Sequence, residues 1–263
     1  MNEATIRLTF FLGILAVLII AEFLLPRKQR VHPRQGRWIT NGIMTVLNTL
    51  TMNVMSIAMP LLAVGAAIDA DTKGWGLFNI IDLPLWLDII LTVLILDFVV
   101  WFQHLLSHKI PFLWRFHRVH HSDRDLDVTS AVRFHPIEIA YSMLLKIAVV
   151  YLLGPAAVAV VAFEIILNGT AMFNHANLKL SKSIDAILRK LLVTPDMHRV
   201  HHSIYRDEHD TNYGFALSIW DRIFGTYIAQ PRDEHADMKL GLQWQDDRPT
   251  KIAWSLLLPF RRK

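Results

Sequence analysis

The sequence predicts an all-α, polytopic membrane protein: about four transmembrane helices, the last pair a hairpin, with a cytosolic helical cap that carries clustered histidines. Three observations point there. Hydrophobic residues make up 53% of the 263 and charged residues 19%, with a mean hydropathy of +0.33, a balance too apolar for an ordinary soluble domain. Several apolar runs approach the roughly 20 residues that a bilayer crossing needs. Much of the charge brackets those runs instead of gathering beside exposed aromatics, so a nucleic-acid partner is not expected. The chain divides into N-terminal membrane helices and loops (1–82), a catalytic-type region (83–230) and a C-terminal cytosolic tail (231–263).

The first apolar run, from about Leu8 to Leu25, is followed by Pro26, Arg27 and Lys28, with no small-residue cleavage site. It reads as a retained span and not as a signal peptide. Arg27, Lys28, Arg30, Arg34 and Arg37 come next with no acid among them, which by the positive-inside rule places this segment in the cytoplasm and the N-terminus outside. A second run, Ile43 to Ile68, returns outward. A third, Leu83 to Leu106, comes back and delivers His104 and His108 at its end; its Asp88 and Asp97 are expected to face the protein interior. Ile137–Leu153 and Ala156–Leu167, separated by Gly154 and Pro155, read as a hairpin. All histidine clusters then fall on one, cytoplasmic, side of what a bacterial-type inner membrane would supply. The basic end of the chain, Arg261 to Lys263, suits an anionic lipid surface.

Cysteine is absent, which removes thiolate metal sites and Cys-bound iron–sulfur clusters. Histidine, at 13 residues, is abundant. His104 and His108 are four apart; His117, His120 and His121 form H-R-V-H-H; His198, His201 and His202 form the same pentapeptide again. Spacings of three and four share a helix face, so each cluster can aim its imidazoles at one point. A lone histidine at a membrane end is ordinarily an interfacial or hydrogen-bonded side chain, and that reading suits His32, His209 and His235. Two H-x-x-H-H boxes and an H-x-x-x-H on one side are different: eight imidazoles are too many for one metal and suit two. Neutral imidazole serves iron, copper and zinc, and structural zinc needs only four ligands. His135 in R-F-H-P and His175 in N-H-A-N stand where they would complete a coordination sphere.

These residues carry a resemblance. H-L-L-S-H (104–108), H-R-V-H-H-S (117–122), R-F-H-P (133–136), N-H (174–175), T-P-D-M-H-R-V-H-H-S (194–203), D-T-N-Y-G (210–214) and W-D-R-I-F-G-T-Y (220–227) follow one another as in the fatty acid hydroxylase/sterol desaturase superfamily of membrane di-iron enzymes, which the chain resembles from about Leu91 to Tyr227. The resemblance implies two iron ions, dioxygen as co-substrate, two electrons from a separate reductase and a lipid substrate that is hydroxylated or desaturated, with zinc a possible occupant after purification. It implies His104, His108, His117, His120, His121, His198, His201 and His202 as ligands, His175 as a further ligand, and His135 as a ligand or a group that orients one.

Accessory residues have two readings each. Asp123 and Asp196 could fix a ligand's tautomer or be solvated loop acids. Arg133 could orient the cap, though interfacial anchoring is favoured. Asn212, Tyr213 and Gly214 read as a turn in which Gly allows a positive φ. Trp220 and Asp221 are expected to pack the cap, and Trp101, Phe102, Trp114 and Phe116 to mark the membrane interface. The rival functions are a metallohydrolase, which would need a carboxylate within a cluster as in H-E-x-x-H and has none, a membrane metal-binding or metal-transport protein without oxygenase activity, and an inactive lipid-binding relative.

Overall fold

The structure, a computed structural model, describes residues 3–58 and 62–261. Thirteen α-helices and three short 3-10 turns are seen among the described residues, and no strand beyond isolated bridges. The base is built from α1 (Glu3–Leu24), α2 (Arg34–Ala58), α3 (Ala63–Lys73), the single turn α4 (Leu77–Ile81), α5 (Leu85–Lys109), α7 (Pro136–Leu153) and α8 (Ala157–His175); α6 (Pro111–His121) leaves the base for the cap. The cap continues with α9 (Lys182–Leu188), α10 (Pro195–His201), α11 (Arg206–His209), α12 (Ile219–Ile223) and α13 (Ile252–Leu257).

Among the described residues, four helices are long and apolar enough to cross a membrane: Thr5–Leu24, Leu85–Lys109, Pro136–Leu153 and Ala157–His175. α8 is central, packed on α1, α5 and α3. α7 and α8 form the expected hairpin. Gly154 closes α7 in the left-handed region at φ 63°, and a Cβ there would lie 2.2 Å from the Trp75 carbonyl oxygen, so the turn is held tight by its neighbour as well as by its backbone.

The second expected span takes a different form. Ile43–Ile68 is not one helix: α2 ends at Ala58, α3 begins at Ala63, and residues 59–61 between them lie outside the described residues. α2 still runs from the cap end, where Arg37 meets Asp123, past the start of α7, where Asn48 donates to the Phe134 carbonyl. It falls short in average hydropathy because it is polar within and apolar without. Ile39, Ile43, Val46, Leu50 and Val54 point outward, while Thr45, Asn48 and Thr49 face an internal cavity.

One end of the bundle gathers the clustered histidines and the cap. The loop after α1, the C-terminal ends of α5 and α8 and the N-terminal end of α7 meet the cap there, as the one-sided placement of the histidines requires. The basic loop is tied to cap acids: Arg27 to Asp196 (2.9 Å), Arg30 to Asp127 (3.1 Å), and the buried Arg37 to both Asp123 (2.7 Å) and Asp127 (2.6 Å). Arg261 is exposed, whereas Arg262 and Lys263 lie outside the described residues. The residues before them are not a loose tail: Pro249 and Ser255 hold Arg133, and Leu258 packs with Met44, Val119 and Trp254.

Candidate metal centre

Helical geometry explains how the site assembles. α5 presents His104 and His108 one turn apart at its last turns. α6, started by Pro111 in its first turn, presents His117, His120 and His121. α8 ends on His175. α10, capped by Thr194, whose hydroxyl accepts from the Met197 N–H, presents His198 and His201, with His202 just beyond.

These nine imidazoles form two groups, each offering ligand atoms within 4.8 Å of one another. His104, His108, His117, His121 and His201 make the first; His120, His175, His198 and His202 make the second. The boxes are shared crosswise. The first box sends its outer histidines, His117 and His121, to one group and His120 to the other; the second sends His198 and His202 to the second group and His201 to the first. The groups abut, with the His121 and His202 rings 4.4 Å apart.

The protein fixes several ring orientations. A carbonyl can only accept, so His104 donates through Nδ1 to Tyr213 (2.6 Å), His201 through Nδ1 to Thr211 (2.7 Å) and His175 through Nδ1 to Ala171 (2.7 Å). His117 Nδ1 lies 2.7 Å from the Glu138 carboxylate. Each of these rings therefore turns a bare Nε2 lone pair inward. His104 and His117 bring their Nε2 atoms within 3.0 Å, and His175 Nε2 lies 3.0 Å from those of both His120 and His198.

The residues fit a metal by this structure's own accounting. The Nε2 atoms of His108 and His201 and both ring nitrogens of His121 are buried without a hydrogen-bond partner, and in the second group the Nε2 atoms of His120, His198 and His202 face only other imidazole nitrogens, a costly arrangement unless a cation takes the lone pairs. Burial holds His117 down at about 3, with His209 nearby adding to it. Burial and neighbouring imidazoles hold His120, His121, His198, His201 and His202 well below the ordinary histidine range. Neutral rings are the ligating form.

His135 lies outside both groups. Its Nδ1 accepts from the Ile137 N–H (3.2 Å), capping α7, and its Nε2 donates to the Leu256 carbonyl (3.3 Å). Neither expected tautomer-fixing acid touches a ligating ring. Asp123 is turned to Arg37 and Ser130, and Asp196 to Arg27 and Arg199; in both, an arginine close by outweighed the chance of an imidazole. Glu138 takes that role for His117, and the sequence held a signal for it: an acid at the start of an apolar run faces the interior. The Thr211 and Tyr213 carbonyls had no signal, since any residue supplies one.

Other expectations change as well. Arg133 is not an interfacial anchor: it is buried and donates to Asn41, Ser255 and the Pro249 and Val119 carbonyls, tying α2, α6 and the C-terminal segment together. In the 212–214 turn the positive φ belongs to Asn212 at 50°, while Gly214 is needed for close approach, since a Cβ would meet Val193 at 2.7 Å. Trp220 and Asp221 do pack the cap: Trp220 donates to Asp97 (2.8 Å) and Trp101 to Asp221 (3.0 Å). Of the four aromatics assigned to the interface, Trp101 and Phe116 are buried and Trp114 stacks on His209, leaving Phe102 exposed.

Beside the first group, between the base helices and the cap, lies a partly open cavity of about 430 Å³. His104, His117 and Glu138 line its upper end and Lys146 and Arg7 its wall, with Val100, Ile139, Met143 and Leu167 supplying apolar surface.

Comparison with known proteins agrees with this geometry. The chain is 28% identical over 241 residues to ornithine lipid hydroxylase OlsE of Rhizobium tropici, covering 87% of this chain and 69% of that protein. It is 30% identical over 166 residues to alkylglycerol monooxygenase of Xenopus tropicalis, covering 59% of this chain and 34% of that protein. It is 26% identical over 138 residues to very-long-chain aldehyde decarbonylase GL1-6 of rice, Oryza sativa subsp. indica, covering 49% and 21%. The chain thus spans about a third of the alkylglycerol monooxygenase that it matches. No solved structure matches. The sequence model described as fatty acid hydroxylase matches residues 89–226, just over half of the chain and the stretch that holds every one of the nine clustered histidines, and the chain belongs to the fatty acid hydroxylase family.

Proposed function

We propose that this protein is an integral membrane lipid oxygenase that hydroxylates or desaturates a lipid with two irons, dioxygen and electrons from a separate reductase. The observation that carries the reading is the pair of buried, abutting imidazole groups, the first of which opens through His104 and His117 on a cavity between the base helices. His104, His108, His117, His121 and His201 would hold one iron, and His120, His175, His198 and His202 the other. When bound, such a pair supplies the electrons and the oxidant needed to break an unactivated C–H bond.

The remaining work falls to the chain itself. Glu138 and the Tyr213, Thr211 and Ala171 carbonyls hold ligating rings in one tautomer, so that bare nitrogens face inward. The apolar walls of the cavity admit an alkyl chain and keep bulk water from the reacting carbon. Relatives named ornithine lipid hydroxylase and alkylglycerol monooxygenase support a polar lipid as the substrate. The basic segment Arg27–Arg37 supports a cytoplasmic histidine end and an outward N-terminus, as in a bacterial inner membrane, although Arg27, Arg30 and Arg37 also serve cap carboxylates.

Iron-loaded protein in lipid nanodiscs, given a membrane lipid extract and a chemical or enzymatic reductant, should consume oxygen and yield lipids heavier by one oxygen atom or lighter by two hydrogens. His120→Ala and His201→Ala should abolish turnover and leave membrane insertion intact. Metal uptake with no oxygen consumption under any lipid would favour a binding or transport protein instead.

A further inference from the structure

The cavity wall carries two cations whose presence the metal chemistry does not require. Lys146 on α7 and Arg7 on α1 both line the cavity, and both reach one carboxylate, Glu164 on α8: Lys146 Nζ at 3.0 Å and an Arg7 guanidinium nitrogen at 2.7 Å. Glu164 is 4% exposed. A charge within a bilayer is expensive and ordinarily faces a partner or a pathway. If the purpose were only to tie α7 to α8, Lys146 and Glu164 would suffice and would be neutral together. Arg7 adds a second positive charge to the same carboxylate. Its other partner, Glu3, pairs with it at 3.0 Å on the exposed side, where both side chains are about 40% accessible, and does not line the cavity. Neither Glu164 nor Glu3 lines the cavity, so the two cations that do are balanced from behind, and the face they present to the cavity is cationic although the four side chains together are neutral.

The set lies at a defined remove from the metal-binding groups. Glu138, beside His117, and Lys146 are eight residues apart on α7, about 12 Å along the helix at 1.5 Å per residue. The cavity thus has an oxidising end, a largely apolar stretch and a cationic end. We propose that Lys146 and Arg7 bind an anionic group of the substrate, a carboxylate or a phosphate, inside the membrane, and so set which carbon reaches the metals. This inference rests on the lipid oxygenase reading only in taking the cavity as the substrate chamber. Lys146 and Arg7 are positioning residues in it and take no part in oxidation.

The test is a binding competition that needs no turnover. Full-length protein in nanodiscs of neutral lipid is loaded with tritiated palmitate and challenged with unlabelled palmitate, hexadecyl phosphate or methyl palmitate. Palmitate or hexadecyl phosphate should compete at least tenfold better than the uncharged ester, and whichever is stronger identifies the anion. Lys146→Met should remove that preference and leave the affinity for the ester unchanged, Lys146→Arg should keep it, and Arg7→Gln should weaken it. Equal competition by all three ligands, or an undiminished preference in both Lys146→Met and Arg7→Gln, would overturn the proposal. Should Lys146→Met fail to fold, the comparison of ligands on the native protein and on Arg7→Gln still decides. Absence of any lipid binding would count against the chamber as a whole, whereas equal binding of acid and ester removes only the anion site.

Discussion

Glu138 and His117 are joined at 2.7 Å, carboxylate to ring Nδ1, at the point where α7 enters the membrane base. The second carboxylate oxygen of Glu138 has no partner, so the residue is devoted to orienting one imidazole. Removing such a support typically lowers metal affinity by about 10- to 100-fold. Glu138→Ala is expected to lose iron in that range, read as metal retained per chain against a competing chelator. Glu138→Gln, which keeps an acceptor without the charge, should fall between the two. Native-like retention in the alanine variant would show that His117 needs no such help.

Metal removal should be felt by the whole protein. Nine imidazoles are buried around two points, and several of their nitrogens have no other partner. A ligand bound only by the folded state stabilises it by mass action. Chelator treatment should therefore lower the thermal unfolding midpoint, and adding ferrous iron or zinc should restore it. A midpoint indifferent to chelation would mean that these rings pack without a cation.

Reciprocal indole–carboxylate bonds fasten α12 to α5: Trp220 to Asp97 at 2.8 Å and Trp101 to Asp221 at 3.0 Å. Both acids are buried, so losing one donor leaves a desolvated carboxylate short of a partner. Trp220→Phe should cost about 1–3 kcal/mol, seen as a lower unfolding midpoint in detergent with iron content per folded chain unchanged. Loss of iron without loss of stability would place α12 in the metal chemistry instead of in the scaffold.

Asp127 gives a pH signature. Burial alone would raise its carboxyl, but the Arg37 guanidinium at 2.6 Å outweighs burial and holds it below its ordinary value. With the folded value depressed, its contribution is complete above the unfolded value of about 4 and disappears as pH falls through the folded one. Asp127→Asn should unfold at a lower temperature than the native protein at pH 7, and that gap should close as the pH drops below about 4. A gap constant with pH would show that the Asp127–Arg37 charge pair contributes nothing.

Most of the span pattern, the hairpin and eight of the gathered histidines were legible because each rests on short-range features: apolar run length, a Gly-Pro break, and spacings of three and four; the ninth, His175, stands alone in sequence and came with the family resemblance. What escaped depended on contacts across the fold. The run read as one span over Ile43–Ile68 is divided between α2 and α3, and α2 keeps a polar face toward the cavity behind its outward apolar stripe. His135 follows R-F and precedes a helix-starting proline, and a ring there can cap the helix as readily as join a cluster; the structure uses it as a cap. Asp123 and Asp196 sit beside histidines in sequence, yet arginines brought by the loop after α1 reach them first. Which of three histidines in a box goes to which group is set by the approach of α6 and α10 to one another, and no local spacing encodes it.

That crosswise sharing couples the two sites through the helices that carry them. A one-residue insertion in α6 would swing its box by about 100° and strip ligands from both groups together, although a single histidine serves one group alone. Because α10 comes some 80 residues after α6, neither group is complete until the chain has folded back over the hairpin: the first waits for His201, the second for His198 and His202.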